Sequence, residues 1–278
     1  MSDVAAAGTL TLGDLTVHRL GFGAMRITGP GVIGEPADRA ECKRVLQRAV
    51  ALGVDFIDTA DSYGPDVSEE IIAEALYPYR AGLVIGTKAG FERPGPHKWT
   101  MNGHPAHLRS RCESSLKRLR VDRIDLFQLH RIDPAVPEAD QFGVLEHLRA
   151  EGKIRWVGLS EVGLDAIARA RRTLPIVSVQ NRYNVQDRQW DPVVDYCTRE
   201  KIAFIPWYPL VAGGLTLDAV SRVAARHRAT PMQVAIAWLL ARSPLMLPIP
   251  GTSKVAHLEE NVRAGSLVLS PADLAELG

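Results

Sequence analysis

No stretch of the 278-residue chain approaches the roughly 18 consecutive apolar residues that a membrane-spanning helix needs. Residues 1–8 are too short and too polar for a secretory leader, so a cytoplasmic protein is expected. Neither sign of charge is in excess: 33 basic against 32 acidic residues leave a formal net charge of +1. That balance gives no electrostatic footprint for nucleic acid or an anionic membrane. Cysteine is scarce, and Cys42, Cys112 and Cys197 have none of the close spacings that make zinc, redox or disulfide frameworks. They read as ordinary helix residues, and no metal site is expected. Internal repeats and low-complexity segments are absent as well.

What is there is 46% hydrophobic, enough for a large core in a length range where an α/β barrel is still one domain. A single domain over 1–278 is expected, with a monomer favoured. Residues 8–19 hold two alternating apolar runs around Gly13-Asp14, the pattern of a β-hairpin ahead of the main fold, placed to plug one end of a barrel. From Leu20 onward strand-like and helix-like segments alternate, as in parallel βαβ units. Eight strands are expected, at 20–23, 54–58, 83–87, 124–129, 154–159, 176–180, 202–206 and 245–249, which together make a (β/α)8 barrel. Between them apolar residues recur with the helical period, as in Cys42, Val45, Leu46, Ala49 and Val50. Thr230-Pro231 marks a helix start, an N-cap followed by proline at the first helical position. The stretch 90–105, with Phe91 and Trp99 among glycines and prolines, is too long for a connector and reads as a substrate-covering loop.

The run Val54-Asp55-Phe56-Ile57-Asp58-Thr59-Ala60-Asp61-Ser62-Tyr63-Gly64 takes a buried strand into a polar loop carrying a carboxylate and a phenol. The next two strands end on Lys88 and His130. In a parallel barrel the carboxyl ends of adjacent strands share one face, where such folds hold their chemistry. A phenol is a poor acid at neutral pH. A neighbouring ammonium should lower its pKa, and a carboxylate paired with that lysine should keep it charged and aimed. With a histidine to hydrogen-bond a substrate oxygen, the set suits proton donation to a carbonyl while a second agent delivers hydride to the carbon. Separately, the run 247–254 leads a strand into a turn of glycine, threonine, serine and lysine before a helix, a combination suited to a phosphate. Gly21-Phe22-Gly23-Ala24-Met25-Arg26 begins like a dinucleotide fingerprint but has Arg26 at the third glycine and no helix directly after.

In type and order, Asp58, Tyr63, Lys88 and His130 resemble the catalytic four of the aldo-keto reductases, and the resemblance covers nearly the whole chain. It implies a barrel that binds NADPH or NADP without a Rossmann domain, with Tyr63 as general acid, Lys88 and Asp58 tuning it, and His130 orienting a small-molecule carbonyl substrate. It also implies a cofactor path. Gly251, Thr252, Ser253, Lys254, His257, Glu260 and Asn261 would serve the adenosine end, with His257 standing where arginine is common. Ser160 and Gln180 would bind the carboxamide, and Glu161 takes a place where asparagine is usual. Trp207, with Tyr208 and Leu210 beside it, would stack on the nicotinamide, which Gly23, Ala24, Met25 and Asp58 would line. Residues 20–25, 29–39, 74–79 and 230–260 resemble the bacterial pyridoxal reductase group in particular, which makes pyridoxal, reduced to pyridoxine, the named candidate substrate, while a hydrophobic aldehyde or small ketone fits the aromatic stretch 90–105 equally well. A cofactor-binding regulatory subunit of the potassium-channel β type shares this fold, but such subunits often carry an N-terminal extension, and only about seven residues precede the hairpin here. A cofactor-free isomerase or lyase using the same acid-base set is the third reading.

Overall fold

A computed structural model describes residues 3–208 and 218–278. After a short helix α1 (Asp3–Ala6), strands β1 (Thr9–Leu12) and β2 (Leu15–His18) pair antiparallel, from Thr9 opposite His18 to Leu12 opposite Leu15. Gly13 turns the hairpin at φ +66° and lies so close to the Trp156 indole that a Cβ would sit 2.1 Å from its Cε2. Asp14 accepts from Trp156 Nε1 at 2.7 Å and from Arg155 Nη2 at 2.5 Å. Leu10, Leu12 and Val17 pack with Phe56, Val84, Leu126 and Leu247. The hairpin therefore covers the amino-terminal end of the main strands, as the alternation predicts.

The chain then lays down β3 (Phe22–Gly23), β4 (Phe56–Asp58), β5 (Val84–Ala89), an antiparallel pair β6 (Phe91–Gly95) and β7 (Lys98–Met101), and β8 (Ile124–Leu129), β9 (Ile154–Ser160), β10 (Ile176–Gln180) and β11 (Ala203–Phe204). All but the pairs β1–β2 and β6–β7 join one parallel sheet in the order β11-β10-β9-β8-β5-β4-β3. Helices α2 (Arg39–Ala51), α3 (Val67–Leu76), α4 (Pro105–Leu119), α5 (Glu138–Ala150), α6 (Leu164–Ala170) and α7 (Asp191–Arg199) alternate with these strands. They are followed by α8 (Asp218–His227), α9 (Pro231–Arg242), α10 (Val255–Arg263) and α11 (Pro271–Leu277). Cys42, Val45, Leu46 and Ala49 form the buried face of α2. Cys42, Cys112 and Cys197 are all free and buried on helices. Thr230 caps α9 through a reciprocal pair with Gln233, with Pro231 in the first turn. Among the described residues no helix is long and apolar enough to cross a membrane.

Three expectations are corrected. The stretch 90–105 is largely an ordered hairpin, β6–β7, rather than a loop. Lys88 lies inside β5, which runs on to Ala89. Segment 245–249 is not a regular strand: Phe204 N–H donates to Leu245 O, Leu247 N–H to Phe204 O and Gly21 N–H to Pro248 O, each at 2.9 Å. Pro248 within the segment and Pro250 just after it have no N–H to offer, so the ladder is interrupted here. The hydrogen bonds still link it to Phe204 of β11 on one side and to Gly21, just before β3, on the other.

Within the sheet, Phe56 fills space that two neighbouring segments leave open. A Cβ on Gly21 would lie 2.9 Å from Phe56 Cδ1 and one on Gly86 3.2 Å from its Cζ. The ring is fully buried and sits two residues before Asp58. Phe56→Ala should cost about 3–5 kcal/mol in denaturant unfolding, the range for an aromatic side chain removed from a core. A loss under about 1 kcal/mol would show that the neighbouring strands collapse into the space.

Candidate active site

Asp58 ends β4, and the parallel register places it opposite Gly86. Lys88, two residues further along β5, shares the face of Gly86 because strand side chains alternate. The Lys88 ammonium is fully buried. It donates to Asp58 Oδ2 at 2.6 Å and Thr59 O at 2.7 Å and reaches the Tyr63 hydroxyl at 3.5 Å. Asp58 Oδ1 accepts from Gln128 Nε2 at 3.1 Å and from Gln180 Nε2 at 2.8 Å. Both carboxylate oxygens are therefore satisfied, as a buried charge requires. The Tyr63 loop is stapled to β5 by Thr59 N–H on Gly86 O at 2.8 Å and Asp61 N–H on Lys88 O at 3.1 Å. His130 follows β8, its N–H on Ala89 O at 2.9 Å, and its ring meets that of Tyr63 edge-on with centroids 6.0 Å apart. All four residues named from the sequence are thus brought together at the carboxyl ends of adjacent strands.

The electrostatics differ from the sequence expectation in one respect. Burial pushes the Tyr63 phenol above its ordinary pKa, and the nearby Lys88 charge opposes this without overcoming it. Lys88 bonds directly to Asp58, so its field at Tyr63 is partly cancelled. Burial also works against the Lys88 ammonium, but Asp58 and Tyr63 more than offset it and hold Lys88 above its usual value. His130 is driven well below its ordinary value by burial, with Lys88, Arg131 and Arg93 adding to the effect. Its imidazole is neutral at pH 7.

The β6–β7 hairpin covers this group. Phe91 meets His130 at 4.8 Å and Trp99 at 5.3 Å, and Trp99 meets Tyr63 at 6.5 Å, all edge to face. Arg93 fixes the hairpin in place. Its guanidinium stacks 3.6 Å from the Trp99 ring centroid and donates to Gly31 O, Val32 O, Ser62 O and Lys98 O at 2.8–3.1 Å. The sequence carries no signal for this role of Arg93, because three of its four partners are backbone carbonyls distant in the chain. Gln128 stands in the sequence as one of two polar residues, with Asp125, in the strand run 124–129.

Along the expected cofactor path the residues are placed as follows. Gly23 pairs with Asp58 across the β3–β4 register, and Ala24 and Met25 open a 3-10 turn (Ala24–Ile27). Ser160 ends β9, and its Oγ accepts from Arg131 Nη1 at 3.0 Å. Gln180 commits its amide nitrogen to Asp58. Trp207 Nε1 donates to Glu161 Oε1 at 2.5 Å, and that oxygen also accepts from Arg182 N–H at 2.5 Å, so Glu161 serves as an acceptor that orients the indole. The Tyr208 ring lies 5.2 Å from the Arg182 guanidinium. Leu210 lies outside the described residues. Gly251 packs on Gly23, where a Cβ would come within 2.3 Å of Gly23 O. Thr252 Oγ1 accepts from Lys254 N–H at 3.1 Å. Lys254 and His257 are exposed and Ser253 is half-buried. A hydroxyl, an ammonium and an imidazole on one short turn fit a phosphate, although Glu41 already accepts from Val255 N–H of that turn at 3.2 Å. Glu260 accepts from Thr230 Oγ1 at 2.8 Å and ties α10 to α9, and Asn261 is buried.

A parallel α/β sheet whose strand ends gather a buried lysine–carboxylate pair, a phenol and a neutral imidazole defines a class of carbonyl oxidoreductase. Residues 19–278 match the model of the Aldo/keto reductase family, and the chain belongs to that family. It is 52% identical over 280 residues to an uncharacterised oxidoreductase of Schizosaccharomyces pombe, covering 99% of this chain and 90% of the relative. It is 44% identical over 281 residues to the pyridoxine 4-dehydrogenase of Escherichia coli, with 98% of each covered. An aldo-keto reductase from Klebsiella pneumoniae, solved in complex with NADPH, superposes with a TM-score of 0.79 at 26% identity over 94% of this chain and 90% of that one.

Beneath the Tyr63 loop lies a second, unexpected layer. Fully buried Asp61 accepts from Arg111 Nε at 2.7 Å through Oδ2, while its Oδ1 has no partner among the described residues. Arg111 also bonds Asp66. Buried Glu69 accepts from Thr87 Oγ1 at 2.5 Å and Arg118 Nε at 2.7 Å. Burial pushes the Asp61 carboxyl up to about 7, against the pull of Arg111 and with Glu69 adding to the rise. Unfolded, the same carboxyl titrates near 3.8. Between these values the unfolded chain has released the proton and the folded chain retains it, so the group's contribution is full below about pH 4 and is lost as pH rises through 7. Asp61→Asn cannot ionise. Its stability relative to the natural chain should improve by about 1–3 kcal/mol between pH 5 and pH 8 in urea unfolding. A difference that stays constant with pH would show that Asp61 is ionised against Arg111 throughout.

Proposed function

We propose that the chain is an NADP(H)-dependent carbonyl reductase built as a closed (β/α)8 barrel, with segment 245–249 as its eighth stave, and that it reduces small aldehydes and ketones. Pyridoxal, reduced to pyridoxine, is the named substrate we favour. The observation that carries this reading is the fully buried Lys88 ammonium held between Asp58 and the Tyr63 hydroxyl. Family membership supports the chemistry, the bound NADPH of the Klebsiella structure supports the cofactor, and the name of the Escherichia coli relative supports the substrate.

The bound cofactor would supply hydride to the carbonyl carbon. The chain's own residues manage the oxygen. Ser62 Oγ lies 3.4 Å from His130 Nδ1. With the hydroxyl donating, the neutral ring keeps its proton on Nε2, where it can donate to a carbonyl oxygen. The oxygen of a carbonyl gaining hydride becomes an alkoxide, a far stronger base than a phenolate. A phenol held above its ordinary pKa therefore still protonates it, and the proton leaves Tyr63 Oη for the substrate oxygen. Lys88 stabilises the phenolate left behind. The aromatic cover of Phe91 and Trp99 excludes water from that exchange. Ser253, Lys254 and His257 would hold the adenosine phosphate, and the Trp207 indole, aimed by Glu161, would lie against the nicotinamide.

Tyr63→Phe keeps the ring and removes the proton, so kcat for aldehyde reduction with NADPH should fall by about 10²-fold or more while NADPH still quenches tryptophan fluorescence. Turnover close to that of the natural chain would assign the acid elsewhere. Lys254→Ala should weaken NADPH binding by about 1.5–3 kcal/mol, the scale of one charge-assisted hydrogen bond, and leave NADH binding nearly unchanged. Equal losses for the two cofactors in titration calorimetry would remove Lys254 from the phosphate site.

A further inference from the structure

Arg131 has no part in the assignments above, although it adjoins the reacting groups. It follows His130 directly and is half-buried. One nitrogen, Nη1, is anchored by His130 O at 2.6 Å and Ser160 Oγ at 3.0 Å. Its guanidinium lies 5.6 Å from the Phe91 ring centroid, on the aromatic cover. Nε and Nη2 make no hydrogen bond among the described residues, and Arg131 forms no ion pair there. The charged groups that act on this corner are Lys88, Arg93, Asp58 and Glu161. Asp58 is engaged by Lys88, Gln128 and Gln180. Glu161 attracts Arg131, but one of its oxygens already serves Trp207 and Arg182. Arg93 has its donors on four backbone carbonyls. Arg131 is thus the cation beside Tyr63 and His130 that retains free donors, and burial makes an uncompensated guanidinium costly.

We infer that Arg131 is a specificity-determining residue that pairs with an oxyanion carried by the aldehyde substrate itself. The inference rests on the carbonyl reductase reading. The anchoring of Nη1 on one side leaves the other edge of the planar guanidinium to meet a carboxylate or phenolate, the geometry in which arginine recognises such groups best. The substrate class this selects is an aromatic aldehyde bearing an ionised oxygen on its ring or on a ring carboxylate. The ionised ring oxygen of pyridoxal falls in that class. The same charge also helps to keep His130 neutral, since a protonated imidazole next to Arg131 would be repelled.

The test uses two matched pairs with NADPH: pyridoxal against pyridine-4-carboxaldehyde, and 3-formylbenzoate against its methyl ester. The natural chain should favour the anionic member of each pair in kcat/KM by at least about tenfold. Arg131→Leu should cut kcat/KM for the anionic members by about 10–100-fold, the range for a lost charge-assisted hydrogen bond. Most of that loss should appear in KM, and the neutral members should change by less than about threefold. Arg131→Lys should restore part of the preference. Benzoate should inhibit the natural chain competitively against the aldehyde and Arg131→Leu far more weakly. Equal losses on both members of a pair would mark Arg131 as a support for His130 and Ser160 and overturn the assignment, as would a natural chain with no anionic preference. A natural chain that reduces none of the four aldehydes would overturn the reductase reading itself, and the assignment with it.

Discussion

The ion pair between Lys88 and Asp58 is the constraint from which the rest of the site follows. Two charges removed from water cost several kcal/mol each unless their remaining lone pairs and protons are met. Here they are met by neighbouring strands of the parallel sheet and the loop after β4: Thr59 O takes a second ammonium proton, and the side-chain amides of Gln128 and Gln180 fill the other carboxylate oxygen. Four strands therefore contribute to a single polar knot. The third ammonium proton is aimed at Tyr63 because the other two are committed, and the long 3.5 Å separation is what the remaining direction allows. Removing both amides would leave Asp58 Oδ1 unpaired, which ties the spacing of β4, β5, β8 and β10 to the surroundings of one phenol.

The Tyr63 loop is held from both sides. Above it, Arg93 takes the carbonyl of Ser62 together with those of Gly31 and Val32, so the aromatic cover and the loop share one guanidinium. Below it, Arg111 spans Asp61 and Asp66, the two ends of the turn in which Tyr63 sits. Both clamps use arginine, whose several donors in a fixed plane can bridge groups that a lysine would reach one at a time. The clamps differ in their environment. Arg93 pairs with neutral carbonyls and is insensitive to pH, whereas Asp61 is a fully buried acid whose proton occupancy changes near neutrality.

Much of this was legible in the sequence, and the reasons are physical. Asp58, Lys88 and His130 are ionisable side chains at the carboxyl ends of apolar runs, where strand periodicity requires a loop and a parallel fold requires convergence. The hairpin at residues 9–18, the N-cap at Thr230 and the buried helix cysteines follow from local pattern alone. What could not be read off depends on contacts distant in the chain. The sign of the Tyr63 shift turns on how far burial outweighs one nearby charge, a balance that spacing does not encode. The ordered β6–β7 hairpin is held by Arg93 on carbonyls some 30 and 60 positions away, and backbone acceptors carry no residue signature. Segment 245–249 looks like a strand by its apolar content, and the two prolines that interrupt its ladder are visible in the sequence. They were the signal that its pairing would be irregular.

Tyr63 and His130 shift in opposite directions, and the two shifts serve one end. Burial raises the phenol and lowers the imidazole because it disfavours charge on either, anion in one case and cation in the other. At neutral pH both groups are therefore uncharged and both carry a proton that a carbonyl oxygen can accept as a hydrogen bond. In the proposed reaction a charged imidazolium would compete with Tyr63 as the acid, and it would repel Lys88 and Arg131. A phenolate would have no proton to give. The cations Lys88 and Arg93, which both act on His130, outnumber the one carboxylate at the centre, so in the proposed reaction the pocket is biased toward negative charge on the substrate oxygen before any chemistry begins. Stabilisation of that kind acts where charge develops rather than where it already exists, and that is the condition for lowering a barrier instead of merely tightening binding.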